Sequence, residues 1–308
     1  MRAQNSRKYL AVGIAATLCW GGATTLTKLA LRELEPGMLL IVQLLSSIVF
    51  LALMLSALRI RLPPLRRSLA VAALGLLEPG LAYFLALEGL SRISATEAVV
   101  LSSSEAFMIV ILSWLIAREP LRASVLGISL CGALGALLIS GEHLGLSGTG
   151  VSLAGDALLL GGVFSAAVYV VLSARWALDA AAPAVLLYQQ LCALALAVAL
   201  QLLLRGRLAL PAHVSAAGWL LAVGSGVVQY AWAFWLYLYA LKGLPTNVAG
   251  VLLSLVPVFG IAVSVPILGD RMSPLQWGGA FVVVASVSLL SWVRHARAEE
   301  PRAMPAEV

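Results

Sequence analysis

Hydrophobic and polar positions along this chain fall into long blocks rather than a short-period alternation. Six stretches carry no charged residue: 9–27, 36–58, 123–141, 180–204, 243–269 and 272–293. Each reaches or nears the roughly 18–20 apolar residues that cross about 30 Å of hydrocarbon at 1.5 Å per residue. Backbone in lipid must satisfy its own hydrogen bonds, so such runs are helices; a barrel would alternate over short segments instead. The pattern predicts helices near 9–31, 38–58, 69–91, 94–117, 122–140, 152–175, 184–204, 214–240, 246–268 and 274–293. The third and fourth are interrupted by Glu78, Glu88, Glu97 and Glu105, and the short loops at 91–93 and 118–121 predict antiparallel neighbours. The expected fold class is an all-α membrane protein with ten transmembrane helices.

Composition sharpens this reading. The 308 residues are 61% hydrophobic and 11% charged, with mean hydropathy +1.00. A soluble domain is about a quarter charged, and a chain this apolar could not cover a water-facing surface. The net charge of +6 does not indicate nucleic acid, because basic residues such as Arg59, Arg61, Arg66 and Arg67 flank spans. With the N-terminus inside, 14 Lys and Arg fall on the internal side and 5 on the external side, with Lys28 inside a span. Both termini are therefore expected in the cytoplasm of a bacterial inner membrane. The run after Arg7 and Lys8 is too long for a signal peptide and nine more follow it, so it reads as the first span. Cys19, Cys131 and Cys192 lie in spans without a CxxC pattern, and His143, His213 and His295 stand singly; no disulfide framework, metal site or cofactor is expected.

The halves echo each other. Pro36 leads to Gln43 and Pro183 to Gln190 at the same spacing; Arg59 and Arg61 match Arg205 and Arg207; Glu119 precedes Gly127 as Asp270 precedes Gly278. Several matches in one order indicate a duplication. The division expected is a first five-helix repeat over 1–145, a second over 146–296 and a cytoplasmic tail over 297–308. Five spans per half would invert the repeats, an arrangement typical of secondary transporters with a site between the halves near midplane.

Leu18-Cys19-Trp20-Gly21 with Lys28 beyond, Ser94-Ala95-Thr96-Glu97-Ala98, the junctions Arg118-Glu119-Pro120-Leu121 and Gly269-Asp270-Arg271-Met272, and Leu255-Val256-Pro257-Val258-Phe259 together resemble the drug/metabolite transporter superfamily of EamA type. The resemblance runs over roughly residues 10–293. It implies a ten-helix, two-repeat exporter of metabolites such as amino acids, similar to the aromatic amino-acid exporter branch. Glu105 stands near the family's usual proline, and Gln43 stands where many members carry Arg. Both departures change the polarity of the cavity.

The candidate substrate-binding residues are Trp20, Gln43, Glu78, Tyr83, Ser104, Glu105, Tyr230 and Trp232. Glu105, beside Ser102, Ser103 and Ser104, is a midplane carboxylate that must face a cavity or a partner. It reads as an amine contact or proton site, or else as a structural acid bonded to a serine. Glu78 precedes Pro79, whose missing amide breaks the helix and frees carbonyls; the bland reading is a packing kink. The aromatics suit an apolar or cationic solute, although lipid contact is the commoner fate. Gln43, Gln189, Gln190 and Gln229 either orient a solute or join helices. Lys28 is expected to snorkel outward.

The function expected is a secondary transporter exporting aromatic and other neutral amino acids, or similar amphipathic metabolites, by alternating access. The alternatives are a channel, disfavoured because one Glu105 defines no ring, and an intramembrane enzyme, disfavoured because HExxH and GxSxG are absent. The expected partners are a small-molecule substrate and the lipid bilayer, without nucleic acid. The sequence sets no oligomeric state and is compatible with a monomer.

Overall fold

The computed structural model of the chain describes residues 2–102, 104–117, 127–128, 130–132, 134–135, 138, 152–173, 182–211, 213–241, 255–269 and 272–298. All regular structure among them is helical. The first two spans are α1 (Arg2–Ala30) and α2 (Pro36–Ala57), the latter opening on a proline at its first position, where no amide partner is needed. The third is composite: α3 (Leu65–Ala73), a tight turn Leu74–Leu76, a wide π turn Leu77–Leu81 and α4 (Ala82–Leu90). The fourth divides into α5 (Ala95–Ser102) and α6 (Glu105–Ala117). There follow α7 (Leu153–Ser173), α8 (Ala182–Arg205), α9 (Ala216–Gly226), a second π turn Val227–Trp232, α10 (Ala233–Leu241), α11 (Val256–Leu268) and α12 (Pro274–Ala298).

Among the described residues, Lys8–Ala30, Pro36–Ala57, Ser68–Leu90, Pro183–Arg205 and Ala216–Tyr237 are long and apolar enough to cross a membrane, and Leu153–Tyr169 and Val258–Leu268 are shorter apolar helices. The predicted span at 122–140 and the start of that at 246–268 lie mostly outside the described residues. Between α5 and α6 Ser104 forms a turn, its amide on the Leu101 carbonyl at 3.0 Å, and Ser103 lies outside the described residues. Serine hydroxyls bond back along the chain here: the Ser102 hydroxyl donates to the Ala98 carbonyl at 2.7 Å, and the Ser104 hydroxyl donates to the Leu101 carbonyl at 2.7 Å. Such bonds compete with the helical ladder.

Apolar side chains point both ways, as lipid allows. Leu39, Leu40, Leu44, Leu101 and Tyr230 are fully enclosed in one central cluster. Leu203 and Phe281 are 80% and 75% exposed, a waste of apolar surface in water but not in hydrocarbon. Packing runs between the halves of the chain. Helix α1 lies on α9, α10 and α11, while α7 lies on α4, α5 and α6; α2 lies on α9, while α8 lies on α3 and the turns after it; α2 and α8 also meet.

Two crossings depend on missing side chains. A Cβ on Gly75 would sit 2.0 Å from the Gln189 carbonyl oxygen, and one on Gly226 would sit 2.6 Å from that of Gln43. At Gly22 and Gly278, by contrast, an added Cβ would meet nothing within 4 Å. Gly75→Ala is expected to force α8 away and lower stability by about 1–3 kcal/mol. Thermal midpoints in detergent check this, with Gly278→Ala expected to show no loss.

Candidate functional site

Two spans are broken near their middles, and the breaks face one another. In the third span, Pro79 brings no amide donor and Glu78 adopts an extended backbone (φ −143°, ψ 126°), with a cis peptide between them. Neighbouring helices satisfy the groups around the break. The Ser165 hydroxyl of α7 donates to the Leu77 carbonyl at 3.0 Å, and the Gln189 amide of α8 donates to the Val71 carbonyl at 3.1 Å. In the eighth span the π turn Val227–Trp232 widens the helix without proline, and the Gln190 amide donates to the Tyr230 carbonyl at 3.0 Å. Wide turns of this kind cluster at functional sites because they turn backbone and side chains out of the ladder.

Between the breaks lies a polar centre. Glu78 and Glu105 are half-buried and within electrostatic range of one another, and both act on Tyr83. The Tyr83 and Tyr230 rings meet at 4.6 Å with an interplanar angle of 61°, an edge-on pairing. Tyr169 of α7 lies within range of Glu78, and its hydroxyl donates to the Gln189 side-chain oxygen at 3.1 Å. The Tyr83 hydroxyl pairs with Gln229. From there a chain continues: the Thr27 hydroxyl donates to Gln229 Oε1 at 3.3 Å, and Gln43 Nε2 donates to Thr27 Oγ1 at 3.0 Å and to Ser225 Oγ at 2.8 Å. Two like charges at this depth repel, so the pair calls for a proton or a cationic group. Among the described residues no three His, Cys, Asp or Glu side chains gather as metal ligands.

The structure therefore brings Glu78, Tyr83, Glu105 and Tyr230 together and links Gln43 to them through Thr27 and Gln229. Ser104 is buried beside Glu105, with its hydroxyl turned to its own helical turn. Trp20 lies apart, its ring 5.0 Å from Phe234 and 5.5 Å from Tyr237. Trp232 is 45% exposed, with its ring 6.3 Å from Phe50. Thr27, Ser165 and Ser225 escaped the sequence reading. A usable signal existed: Ser165 stands four residues before Tyr169, and Ser225 four before Gln229, the spacing that puts two groups on one helix face.

Polar contacts also pin one end of the bundle, the end bearing the loops at 31–35, 91–94 and 206–215. Lys28, expected to snorkel outward, instead donates to the carbonyls of Leu90 and Ile93. Glu88 pairs with Arg92 at 2.8 Å and with Arg205 of α8 at 3.3 Å. Glu33 accepts from the Ser215 amide at 2.6 Å and hydroxyl at 2.7 Å, and Ser215 caps α9 by accepting from the Gly218 amide at 2.9 Å. The Ser215 hydroxyl and amide hold the Glu33 carboxyl below the usual carboxylate range. A lowered value means that the contact stabilises at neutral pH and is lost as pH falls through the lowered range. Glu33→Gln is expected to lower the thermal midpoint slightly at neutral pH, with the difference closing in acid.

No curated protein sequence matches the chain. Twenty-seven chains of solved structures match. One, described only as a crystal structure of a protein, is 17% identical with a TM-score of 0.65, over 93% of this chain and 99% of its own length; this similarity extends to the fold. The sequence profile of the EamA-like transporter family matches over residues 7–141 and 153–292. Two matched segments covering most of the chain, filled by membrane-length helices around a polar centre, place this protein in the EamA-like transporter family, the multi-pass membrane transporters of the drug/metabolite type.

Proposed function

We propose that this chain is a secondary transporter exporting aromatic and other neutral amino acids, or similar amphipathic metabolites, across a bacterial inner membrane by alternating access. It would do so with ten spans in two inverted five-helix repeats, 1–145 and 146–296, and with both termini cytoplasmic. The observation that carries this reading is the meeting of two broken spans around Glu78, Glu105, Tyr83 and Tyr230. Broken helices at membrane depth belong where they line a solute's path. Carboxylates suit a solute's ammonium group, and tyrosine rings suit its apolar body.

The packing pattern supports two repeats, and five spans in each would invert them. Exchanging spans one to four with six to nine turns the contact of α1 with α11 into that of α7 with α6. The same exchange turns the contact of α2 with α9 into that of α8 with α3. The glycine crossings follow suit, Gly75 on Gln189 and Gly226 on Gln43. The pinned end would then be external. Two repeats packed around a shared polar centre, rocking against each other, would suit a carrier better than a fixed pore or an enzyme.

Proteoliposome counterflow with labelled amino acids tests the reading. Saturable exchange of phenylalanine, methionine or threonine, competed by the others, is expected. Strong inhibition by a dicarboxylate with none by those three would remove the amino-acid assignment. Unsaturable conductance would favour a channel. Reporter fusions at each terminus should report the cytoplasm, and a periplasmic terminus would remove the five-plus-five arrangement.

A further inference from the structure

Resting on the transport reading above, we propose that the centre recognises the ammonium group as its principal handle. It would therefore bind carboxylate-free amphipathic amines, with a protonated amine and an aromatic or aliphatic body, more tightly than the zwitterionic amino acids bearing the same side chain. The basis is a count of hydrogen-bonding capacity. The amide donors at the centre are already committed: Gln43 Nε2 to Thr27 and Ser225, Gln189 Nε2 to the Val71 carbonyl, and Gln190 Nε2 to the Tyr230 carbonyl. Gln189 Oε1 and Gln229 Oε1 accept from Tyr169 and Thr27, but two other amide oxygens are open. Gln43 Oε1 and Gln190 Oε1 have no hydrogen-bond partner among the described residues, and both side chains are fully enclosed. Buried amide oxygens are normally paired, so these two open acceptors suit a ligand that brings donors.

Tyr230 adds an independent sign. Its side chain is fully enclosed, its hydroxyl has no hydrogen-bond partner among the described residues, and it lies within electrostatic range of Glu78 and Tyr83. A ligand ammonium has three donors and no acceptor. It would satisfy such oxygens while lying between two carboxylates and against the paired Tyr83 and Tyr230 rings, whose faces attract cations.

A ligand carboxylate finds the opposite. The described cations near this half of the bundle are engaged elsewhere, Lys28 on the Leu90 and Ile93 carbonyls and Arg92 and Arg205 on Glu88. The carboxylate would meet Glu78 and Glu105 with no counter-charge. Like charges set close together at a binding site cost several-fold to many-fold in affinity.

The test measures binding of 2-phenylethylamine, L-phenylalanine and 3-phenylpropionate to the purified full-length protein in nanodiscs, by calorimetry or intrinsic fluorescence. Proteoliposome counterflow runs in parallel. The amine should bind about tenfold or more tightly than phenylalanine, which corresponds to one charge contact of about 1.4 kcal/mol, and 3-phenylpropionate should not bind. Tyr230→Phe should weaken the amine several-fold and phenylalanine by a similar factor. Glu78→Gln and Glu105→Gln, each checked for an unchanged size-exclusion profile, should shrink the preference towards unity. If either carboxamide fails to fold, the ranking of the three ligands on the parental protein still decides.

Phenylalanine binding as tightly as the amine, or tighter, overturns the proposal. Phenylalanine exchange with no competition from the amine overturns it while leaving the transport reading intact. Tight amine binding with no exchange of any solute supports the site and removes the transport reading.

Discussion

Glu78→Gln and Glu105→Gln should each reduce counterflow by about tenfold or more while leaving the protein folded. The carboxamides keep the shape of the acids, so Pro79 still breaks the third span and the Ser165 contact to the Leu77 carbonyl still satisfies it. What changes is the charge offered to the solute. A hydrogen bond to a charged group contributes about 1.5–3 kcal/mol, and 1.4 kcal/mol is a factor of ten. The loss should appear in both affinity and turnover, because the same carboxylates must let go of the solute once the cavity opens. Since the two carboxylates act on each other, the double variant should lose less than the product of the single losses. The decisive measurement is counterflow across a pH series, normalised to protein that elutes as one species. Parental transport by both variants would make the pair a structural feature of the helix break. A collapse of the elution profile instead would mark the carboxylates as parts of the fold.

Part of the site is legible in the sequence, and part depends on tertiary context. Apolar runs identify spans because lipid leaves the backbone no other option, and the proline after Glu78 announces a break because it lacks a donor. The break at Val227–Trp232 has no such announcement. It arises from tertiary context, including Gln190, which contacts the Tyr230 carbonyl from a helix 40 residues away. Polar residues sort better than aromatic ones for a similar reason. Glu78, Glu105 and Gln43 are costly in lipid, so burial among partners follows from their chemistry alone. Trp20 and Trp232 are at home on either surface, and only helix phase decides. Residues two apart point to opposite faces of a helix, which separates the exposed Trp232 from the enclosed Tyr230 two residues earlier. Lys28 reads as snorkelling because its stem is long, yet the ends of α4 and the following loop present carbonyls within its reach.

The second large effect should come from the pinned end. Glu88 holds α4 to α8 through Arg205 and is itself clasped by Arg92; its side chain is 11% exposed, against 45% and 37% for the two arginines. A fully exposed pair would contribute at most about 1 kcal/mol, and a fully buried one would cost about 3–5 kcal/mol to break. This one lies between. Glu88→Gln leaves two guanidinium groups facing each other across the α4–α8 seam, which adds repulsion to the lost attraction. If this end must part for solute to leave, the variant should shift the equilibrium towards the parted state by about 5–150-fold, the range set by 1–3 kcal/mol of coupling. Ser165, 5% exposed beside the centre, provides the reporter. In a background with Cys19, Cys131 and Cys192 replaced, Ser165→Cys should react slowly with a membrane-impermeant thiol reagent added outside intact cells. Adding Glu88→Gln should accelerate that reaction, while counterflow slows because the halves close less often. Unchanged labelling together with a lowered thermal midpoint would make the Glu88 pairs a brace of the fold with no part in opening.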